Sequence, residues 1–294
     1  MELRSLYYFL TVAREENITR AAEKLHLTQP TLSRQLKQLE DELGKQLLVR
    51  GKRKIQLTDA GMLLRRRAEE ILNLVQIAEK DLQSDEDTIE GQINIGSAEC
   101  GASTTLLPEV IRSFSLQYPN VTYDLYTGNA DLIKEELDKG LVDIGLLLEP
   151  VDIEKYDFIR LPHKERWGLL VNKNSELAEK KQIEAMDLKD IPLINTKREI
   201  VQNEIASWYH GRYEDLNIVA THNLLSNSVA LVANGVGNII TIEGAYNNHI
   251  NKDVIFIPLY PELFTGMVLV WKKHYALSPA VSKFLDTFYH SLNV

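Results

Sequence analysis

Residues 18–57 read ITRAAEKLHLTQPTLSRQLKQLEDELGKQLLVRGKRKIQL, and their spacing predicts two helices joined by a tight turn. The first helix covers roughly Thr19 to Leu25. Thr28 can cap the second helix, and Pro30 falls in its first turn, where a missing N–H does no harm. Only Lys24 to Leu27 separate the two helices, which is the short connection of a helix-turn-helix. The pattern also predicts a preceding amphipathic helix with apolar residues at Leu6, Phe9, Leu10 and Ala13.

The second of these helices has one apolar face and one polar face. Its leucines recur at helical spacing and predict one buried stripe of Leu32, Leu36, Leu39 and Leu43. The opposite face then carries Pro30, Ser33, Arg34, Lys37, Gln38 and Asp41. Arginine can bind guanine and glutamine can bind adenine in a bidentate manner, while serine and lysine can hold phosphate. The polar face therefore predicts a recognition helix for double-stranded DNA, with an ordinary solvated face as the alternative.

A basic hairpin follows the second helix. Leu48–Arg50 and Lys54–Leu57 are predicted strands, and Gly51-Lys52-Arg53 between them forms a cationic tip. Such a wing would lie along the phosphate backbone or enter the minor groove, where arginine is favoured electrostatically. Thr58 and Asp59 then supply the oxygen cap and the negative first turn of another helix.

That next helix carries a heptad seam. Its apolar positions alternate in steps of four and three, at Leu64, Ala68, Ile71, Val75, Ala78 and Leu82. A seam of this spacing predicts pairing with another helix, and thus a homodimer, while packing against the chain's own body is the alternative. Arg65, Arg66 and Arg67 lie at its beginning and could add phosphate contacts, and Ser84 to Asp87 form a predicted solvated hinge.

Charge is distributed unevenly along the 294 residues. Residues 1–67 have a net charge of +6 and the remainder a net charge of −15. This asymmetry indicates a nucleic-acid-binding end on an otherwise acidic, soluble protein. The single cysteine excludes an internal disulfide, and the first residues lack a basic leader with a cleavable apolar core. We therefore expect a cytoplasmic protein with no membrane partner.

From Gly91 the pattern changes to alternating strands and helices. The predicted strands are Gln92 to Gly96, Val121 to Tyr126, Val142 to Leu148, Arg166 to Val171, Pro192 to Asn195, Ile218 to Thr221, Asn238 to Ile242 and Met267 to Trp271. The predicted helices are Thr104 to Gln117, Ala130 to Lys139 and Pro279 to Leu292. This rhythm predicts an α/β fold with right-handed crossovers and a mostly parallel sheet.

Ligands of open α/β sheets bind beyond the carboxyl ends of strands. Applied here, that rule predicts an effector site in loops rich in hydroxyl and amide groups, with candidates Ser97, Glu99, Cys100, Gly101, Ser103, Thr127, Asn129, Asn195, Thr196 and Asn223. Glu99 would repel an anion, which favours an amino- or hydroxyl-bearing effector unless Lys197 or Arg198 offsets it. Cys100 could be a redox switch, but a lone cysteine is more often a packing residue.

The segments AAEKLHLTQPTLSRQLKQLEDELG and LLVRGKRKIQLTDAG closely resemble the LysR-type transcriptional regulator family. One departure is Leu48, where the family usually has an aromatic residue before the wing. The resemblance implies that Gln29, Pro30, Ser33 and Arg34 touch bases or nearby phosphates, with Arg50 and Arg53 in the wing. The full expected DNA-binding set is Thr28, Gln29, Pro30, Thr31, Ser33, Arg34, Lys37, Arg50, Lys52 and Arg53.

The resemblance also implies an architecture. A winged helix-turn-helix domain of mainly helical structure is expected over residues 1–60, and a dimerising linker helix with a hinge over 61–90. Residues 91–294 would form a two-lobed α/β effector domain similar to type 2 periplasmic solute-binding proteins. Lobe I would take about 91–162 plus 266–294, and lobe II about 163–265. The family further implies a dimer of dimers, a homotetramer that binds a partly palindromic operator, with RNA polymerase as a further candidate partner.

The expected function is thus a regulator that senses a small polar metabolite and alters transcription. An enzyme is the first rival, but the cleft loops show no nucleophile paired with a base, no metal spacing and no cofactor motif. Gly235-Val236-Gly237 follows a helix and leads into a strand, the reverse of a dinucleotide-binding loop. A solute-binding protein for transport is the second rival, which the DNA-binding end opposes. No cofactor is expected.

Overall fold

The computed structural model describes residues 1–50, 54–83 and 89–292. Contacts divide the chain into two compact units, Met1–Gln83 and Ser84–Val294, called here the head and the body. The predicted wing tip with Lys52 and Arg53, the predicted hinge at residues 84–87, and the side chains of Arg50 and Leu82 lie outside the described part.

The head contains the helices and the hairpin that the sequence predicts. Its elements are α1 (Leu3–Glu15), α2 (Ile18–Lys24), α3 (Gln29–Leu43), β1 (Leu48–Arg50), β2 (Ile55–Leu57) and α4 (Asp59–Gln83). The Asn17 side chain caps α2 by accepting the N–H groups of Thr19 and Arg20 at 2.9 and 3.1 Å. Gly44 ends α3 in the left-handed conformation, with φ 61°, which glycine adopts at little cost.

The core of the head is formed by one face of each of its first three helices. Its fully buried members include Leu6, Phe9, Ala21, Leu32 and Leu39. The predicted leucine stripe of α3 is wrong at its last position, because Leu43 is 39% exposed. Leu43 is the final helical residue before Gly44, so its turn extends past the side chains that cover the rest of the stripe.

The first half of the heptad seam packs inside the head. Ala68 is fully buried, and Leu64 and Ile71 pack beside it against the core of α1 to α3. Further along α4, Val75 is half-buried and Ala78 is exposed. At its first three positions the seam thus takes the alternative that the sequence left open, packing against the chain's own domain.

The body contains two mixed sheets. Its first strands and helices are β3 (Gly91–Ser97), α5 (Gly101–Thr104), α6 (Leu106–Gln117), β4 (Val121–Thr127), α7 (Ala130–Lys139), β5 (Ile144–Leu148) and β6 (Tyr156–Arg160). They are followed by β7 (Glu165–Asn172), β8 (Leu193–Thr196), α8 (Glu199–Tyr209), β9 (Ile218–His222), α9 (Val229–Ala233) and β10 (Asn238–Ile242). The last are α10 (Glu243–Asn247), β11 (Val254–Pro258), β12 (Phe264–Thr265), β13 (Met267–Lys272) and α11 (Pro279–Ser291).

The expectation of a mostly parallel sheet is wrong. The five-stranded sheet has the order β4-β3-β5-β13-β6, and the other has the order β11-β7-β10-β8-β9, with β12 beside β7. Strands β3, β4 and β5 are parallel, as are β8, β9 and β10, but β13 runs antiparallel to β5 and β6, and β7 to β10, β11 and β12. Strand β13 enters its sheet from the other one, so the helical crossover that keeps neighbours parallel does not constrain it.

The two sheets form two lobes that exchange chain twice. The five-stranded sheet takes its strands from residues 91–160 and 267–272, and the six-stranded sheet from residues 165–265. The chain passes between them after β6 and again before β13. Helix α11 then packs on α6, with Phe114 and Phe284 in edge contact at 5.3 Å between ring centroids. The carboxyl ends of β3, β8 and β9 therefore face a cleft between the lobes.

Candidate functional site

The exposed face of α3 carries most of the predicted DNA-binding side chains. Thr28, Gln29, Pro30, Arg34 and Lys37 are exposed, and Thr31 and Ser33 are half-buried. Arg34 has no intramolecular hydrogen bond or ion pair among the described residues, so its guanidinium is available to an outside acceptor. A guanidinium that is always charged suits a guanine edge or a phosphate.

Other polar side chains on this face pair with one another along the helix. The hydroxyl of Thr28 lies 2.8 Å from that of Thr31, and Gln29 donates from Nε2 to Ser33 Oγ at 3.0 Å. Thr28 is therefore at the cap position, as predicted, but its hydroxyl does not accept a backbone N–H. Both pairs join side chains in the amino-terminal turns of α3.

Lys37 forms an ion pair with Asp41 one turn later, at 2.8 Å. The hydrogen bond to that carboxylate, together with its charge, raises the pKa of the lysine. Both side chains are largely exposed, at 68% and 63%, so the pair exchanges readily with solvent and ions.

Two carboxylates fix the wing against the helices. Glu40 on α3 accepts the backbone N–H groups of Leu47 and Leu48 at 2.7 and 3.1 Å. At the other strand, the Glu16 carbonyl accepts the Ile55 N–H at 2.9 Å, and the Glu16 carboxylate pairs with Lys54, which lowers its pKa. Both strands of the wing are thereby anchored to the helices, and Arg50 lies at the end of the first strand.

The cleft between the lobes of the body encloses a cavity of about 110 Å³. Its lining is mostly apolar, and the complete set is Ala98, Glu99, Gly128, Asn129, Ala130, Leu148, Glu149, Trp167, Thr196, Arg198, Val201, His222, Asn223, Leu224, Leu225, Ile240, Thr241, Ile242 and Ala245. The volume is below the range of roughly 300–1,000 Å³ that drug-sized ligands need. In this arrangement of the lobes, the cavity suits a compact molecule.

The cavity brings together four of the ten predicted effector residues, namely Glu99, Asn129, Thr196 and Asn223. The other six, Ser97, Cys100, Gly101, Ser103, Thr127 and Asn195, are not among its lining residues. Asn195 is completely buried, and Thr127 is exposed. The rule for α/β sheets thus selected loops that border this cavity, while the direction of each side chain depends on backbone geometry that the sequence does not display.

Cys100 is a packing residue in the structure. Its side chain has no exposed area, and burial raises the pKa of its thiol to about 11. At neutral pH the thiol is protonated and shielded, and it therefore lacks the thiolate that redox chemistry requires.

The Glu99 carboxylate does not stand free in the cavity. One oxygen accepts the Leu225 N–H at 2.5 Å, and the other lies 3.0 Å from His249 Nε2. Leu225 and His249 belong to the opposite lobe, so Glu99 connects the two lobes. The expectation that Glu99 selects an amino- or hydroxyl-bearing effector loses its basis, because protein donors already occupy both oxygens.

Arg198 makes a second connection between the lobes. Its Nε and Nη2 donate to the two carboxylate oxygens of Asp131 at 2.9 and 3.3 Å. The side chain of Arg198 is only 10% exposed, whereas that of Asp131 is 62% exposed. Arg198 precedes α8 in one lobe, and Asp131 lies in the first turn of α7 in the other.

Glu165 joins two backbone segments at the side of the cleft. It accepts the Gly101 N–H at 2.7 Å and the Gly244 N–H at 3.0 Å, one from each lobe. The glycines permit this close approach, because a Cβ on Gly244 would lie 2.3 Å from the Gly101 nitrogen. The buried Glu165 carboxylate therefore joins the backbones of the two lobes where Gly101 and Gly244 come close together.

Two nitrogen-bearing side chains in the cavity lack partners. Trp167 is 7% exposed, and its buried Nε1 has no hydrogen-bond partner within the described part of the chain. The same holds for both ring nitrogens of His222. Burial lowers the pKa of His222, and the Leu224 backbone and the charge of the Glu99 carboxylate offset this effect only partly. The imidazole is consequently neutral at pH 7, with one donor and one acceptor nitrogen.

Trp167, Arg198 and His222 line the cavity but are not among the site residues predicted from the sequence. Trp167 lies within an apolar strand, where an aromatic side chain predicts core, and Arg198 was considered only as a charge that could offset Glu99. His222 directly precedes Asn223 in a predicted cleft loop and was the most accessible of the three to inference. Over residues 1–50, 54–83 and 89–292, no group of three or more His, Cys, Asp or Glu side chains is placed to hold a metal ion.

The cavity of the body and the exposed face of α3 occur in a chain that matches two family models. Residues 3–62 match the bacterial regulatory helix-turn-helix protein, lysR family, and residues 86–292 match the LysR substrate binding domain. The chain is 32% identical, over 97% of its own length and 96% of the relative's, to the Hca operon transcriptional activator HcaR of Escherichia coli (strain K12). It is 30% identical, over 98% and 100% of the two chains, to the HTH-type transcriptional regulator BsdA of Bacillus subtilis (strain 168).

A solved structure has the same fold over its full length. Full-length CbnR complexed with its target DNA aligns with a TM-score of 0.75 at 22% identity, covering 99% of this chain and 100% of that one. At this level of identity the likeness concerns the fold, and one family match falls in each of the two units of the chain.

Proposed function

Because the chain belongs to the LysR family, it is a DNA-binding transcriptional regulator with an effector domain, and we propose that its effector binds in the cleft cavity. The observation that carries this proposal is the pair of unpartnered side chains, Trp167 and His222, in a mostly apolar cavity. A buried polar group without a partner costs about 1–3 kcal/mol, which a ligand with a matching group recovers. Glu99, Asn129, Thr196 and Asn223 complete the proposed contacts.

Both lobes contribute to the cavity, so a ligand inside it changes the balance between their arrangements. An effector acts only to the extent that it binds one arrangement more tightly than another. The contacts Glu99 to His249 and Arg198 to Asp131 are the bonds between lobes that a ligand in the cavity would reinforce or replace.

For the head we propose that α3 enters the major groove. Its contacts would come from Thr28, Gln29, Pro30, Thr31, Ser33, Arg34 and Lys37, and the wing would contribute Arg50, Lys52 and Arg53. The unpaired guanidinium of Arg34 supports this assignment, and so does the anchoring of the wing through Glu40 and Glu16.

We further propose that the protein works as a homodimer through α1 and α4, and as a homotetramer on a partly palindromic operator, with RNA polymerase as a possible further partner. Four apolar side chains of these helices remain exposed in the head: Leu3, Tyr7, Met62 and Leu63, at 47%, 56%, 54% and 55%. Two symmetry-related heads would read more base pairs than one. We propose that residues 1–60 bind DNA, that residues 61–90 form the dimerisation helix and the hinge, and that residues 91–294 bind the effector.

We also propose that the chain catalyses no reaction and acts in the cytoplasm, where its DNA target is. Its relatives above are named as regulators. Among the helices of the described residues, none combines the length and apolar character that crossing a bilayer requires.

The cleft proposal is tested by screening small metabolites against the thermal stability of the full chain. A ligand at one hundred times its Kd adds about 2.7 kcal/mol to stability. Asn223→Trp places an indole at the cavity, and Leu116→Trp, on a 76% exposed residue of α6, is the matched control. We expect the first variant to lose both the thermal shift and the ligand-dependent change in promoter binding, while the control keeps them. A full response in Asn223→Trp would exclude the cavity as the effector site.

A further inference from the structure

The hydrogen-bonding groups of the cavity are unequally satisfied. Three of its acceptor side chains are occupied: Glu99 receives two donors, Asn129 Oδ1 receives the N–H groups of Asp131 and Leu132, and Thr196 Oγ1 receives the backbone N–H of Arg198. Among the cavity groups that remain open, the side chains of Trp167 and Arg198 can only donate. An effector that matches the cavity must therefore bring acceptors.

Trp167 is the clearest sign that the ligand must supply a hydrogen-bond acceptor, because an indole N–H can only donate. Its Nε1 is buried and unpartnered, and its ring forms part of the cavity wall. The neutral imidazole of His222 adds a second donor nitrogen in the same cavity. An ammonium group, which has no acceptor, would satisfy neither of these N–H groups.

Arg198 adds a positive charge that a ligand can reach. Asp131 occupies only Nε and Nη2, and no atom of the described residues accepts a hydrogen bond from Nη1. The arginine is the buried member of this pair and Asp131 the exposed one. Because Asp131 is mostly solvated, its interaction with Arg198 is weakened by water. A ligand carboxylate enclosed in the cavity would interact with Arg198 more strongly, because a low-dielectric environment strengthens the attraction.

From these contacts we infer that the effector is a small organic monocarboxylate with an apolar body, whose carboxylate takes over Arg198 from Asp131. This inference rests on the proposed effector role of the cavity. The apolar body fits the walls formed by Leu148, Val201 and Ile240. A second negative charge is disfavoured, because Glu99 and Glu149 also line the cavity. Asp131 thus acts as an internal substitute for the ligand carboxylate in the free protein.

The exchange has a structural consequence. Asp131 and Arg198 connect the two lobes, so a ligand that releases Asp131 removes one direct bond between them and replaces it with contacts through the ligand. The effector thereby changes how the lobes are held while Glu99 and Glu165 keep their own bonds across the cleft.

The test compares acids with neutral and cationic analogues of the same skeleton. The probes are cyclohexanecarboxylate, hexanoate and phenylacetate, each beside its primary amide and its amine, titrated calorimetrically against the full chain. We expect each acid that binds to do so roughly tenfold or more tightly than its amide, and the amines not to bind. Equal or tighter binding of the amides or amines, or no binding of any of the acids, would overturn the assignment of a carboxylate.

Variants of the ion pair test the exchange itself. Arg198→Gln should abolish the preference for acids, and Arg198→Lys should retain part of it. Asp131→Asn should tighten the binding of acids by about threefold or more, because it removes the competing carboxylate. The control is the exposed pair Arg212 and Asp215, where Arg212→Gln and Asp215→Asn should change nothing. Weaker or unchanged acid binding in Asp131→Asn contradicts the exchange, and this variant is informative even if Arg198→Gln does not fold.

Asn223→Trp separates this inference from the proposed function. If amides or amines bind and Asn223→Trp abolishes their binding, the cavity remains an effector site and only the carboxylate inference is lost. If Asn223→Trp leaves every binding event and the transcriptional response intact, the cavity itself is the wrong site.

Discussion

The exposed face of α3 and the cleft cavity both contain polar side chains, but the hydrogen bonds that hold these side chains differ in sequence range. On α3 the bonds are local: Thr28 pairs with Thr31, three residues on, and Gln29 with Ser33, four residues on. In the cleft, Glu99 pairs with His249, 150 residues away. The first set needs only a helix, whereas the second exists only when both lobes are folded and in contact. The DNA-reading surface can therefore persist while the sensor changes its state.

The largest effect is expected at the long-range contacts. Glu165→Ala leaves the N–H groups of Gly101 and Gly244 without an acceptor in a buried position and should lower the free energy of unfolding of the body by about 2–4 kcal/mol. Chemical denaturation, followed by the tryptophan fluorescence of the body, measures this loss.

Glu243→Gln is the control, since its half-exposed pair with Arg166 at 3.1 Å should contribute less than about 1 kcal/mol. If both variants lose the same small free energy of unfolding, the hydrogen bonds of Glu165 to Gly101 and Gly244 contribute no more to the stability of the body than a half-exposed ion pair does.

The contrast between regions also explains what the sequence could predict. The elements of the head follow from local patterns: the leucine spacing and Pro30 located α3, and Gly51 to Arg53 located the hairpin. In the body, local patterns predicted the strand direction only where a helix joins two parallel strands. They did not predict that β7 and β13 run antiparallel to their neighbours.

The same limit applies to the candidate sites. Local spacing placed Arg34 on the exposed face of its helix, because an α-helix fixes where each side chain points. The ends of the predicted strands suggested candidate cleft loops. Arg198, however, meets Asp131 across 67 residues of chain, and nothing in either local sequence indicates the other. Trp167 has the appearance of a core residue in sequence, and only its unpartnered Nε1 in the folded cavity distinguishes it.

The next largest effect concerns the local surface. Arg34→Ala should weaken operator binding by about 1–3 kcal/mol, roughly 5- to 150-fold, because it removes a bidentate donor to a base or phosphate. Ligand affinity of the body should not change, since the variant removes no contact of the cleft. Fluorescence anisotropy with operator DNA at moderate salt measures the first quantity and calorimetry the second.

Lys45→Ala is the matched control for charge, because Lys45 is exposed beyond the end of α3 and outside the proposed contact set. It should change operator affinity little. Equal losses in the two variants would mean that α3 contributes only net charge and no reading of bases.

A smaller effect is expected from Glu204 on α8, whose buried Oε2 has no partner among the described residues. Burial, and then the charge of Glu149, raise the pKa of Glu204 above its usual 4.5. A raised folded-state pKa means that stability is fully present below pH 4.5 and is lost as pH rises through the folded value. Glu204→Gln should therefore raise Tm by roughly 1–3 °C at pH 8.

This gain should shrink as the pH is lowered towards 4.5, because the wild-type carboxyl becomes increasingly protonated in both the folded and the unfolded states. Thermal unfolding across pH 4.5 to 8 measures it, with the exposed Glu179→Gln as the control variant. A gain that is constant with pH would assign the effect to packing and not to ionisation.

The smallest expected effect is a local one on α3. Asp41→Asn removes the carboxylate that holds Lys37 at 2.8 Å and keeps a side chain of the same size. The pKa of Lys37 should fall towards its usual value without that partner, but the lysine remains charged at neutral pH and becomes free to meet a phosphate. Operator affinity should rise roughly twofold at low salt, and the gain should vanish at high salt, where exposed charges are screened.

In Lys37→Ala the same Asp41 change should give a smaller gain, because only the repulsion between Asp41 and phosphate is then removed. An equal gain in both backgrounds would show that Lys37 does not contact DNA, and the recognition face would then lose one of its charged members while Arg34 is unaffected.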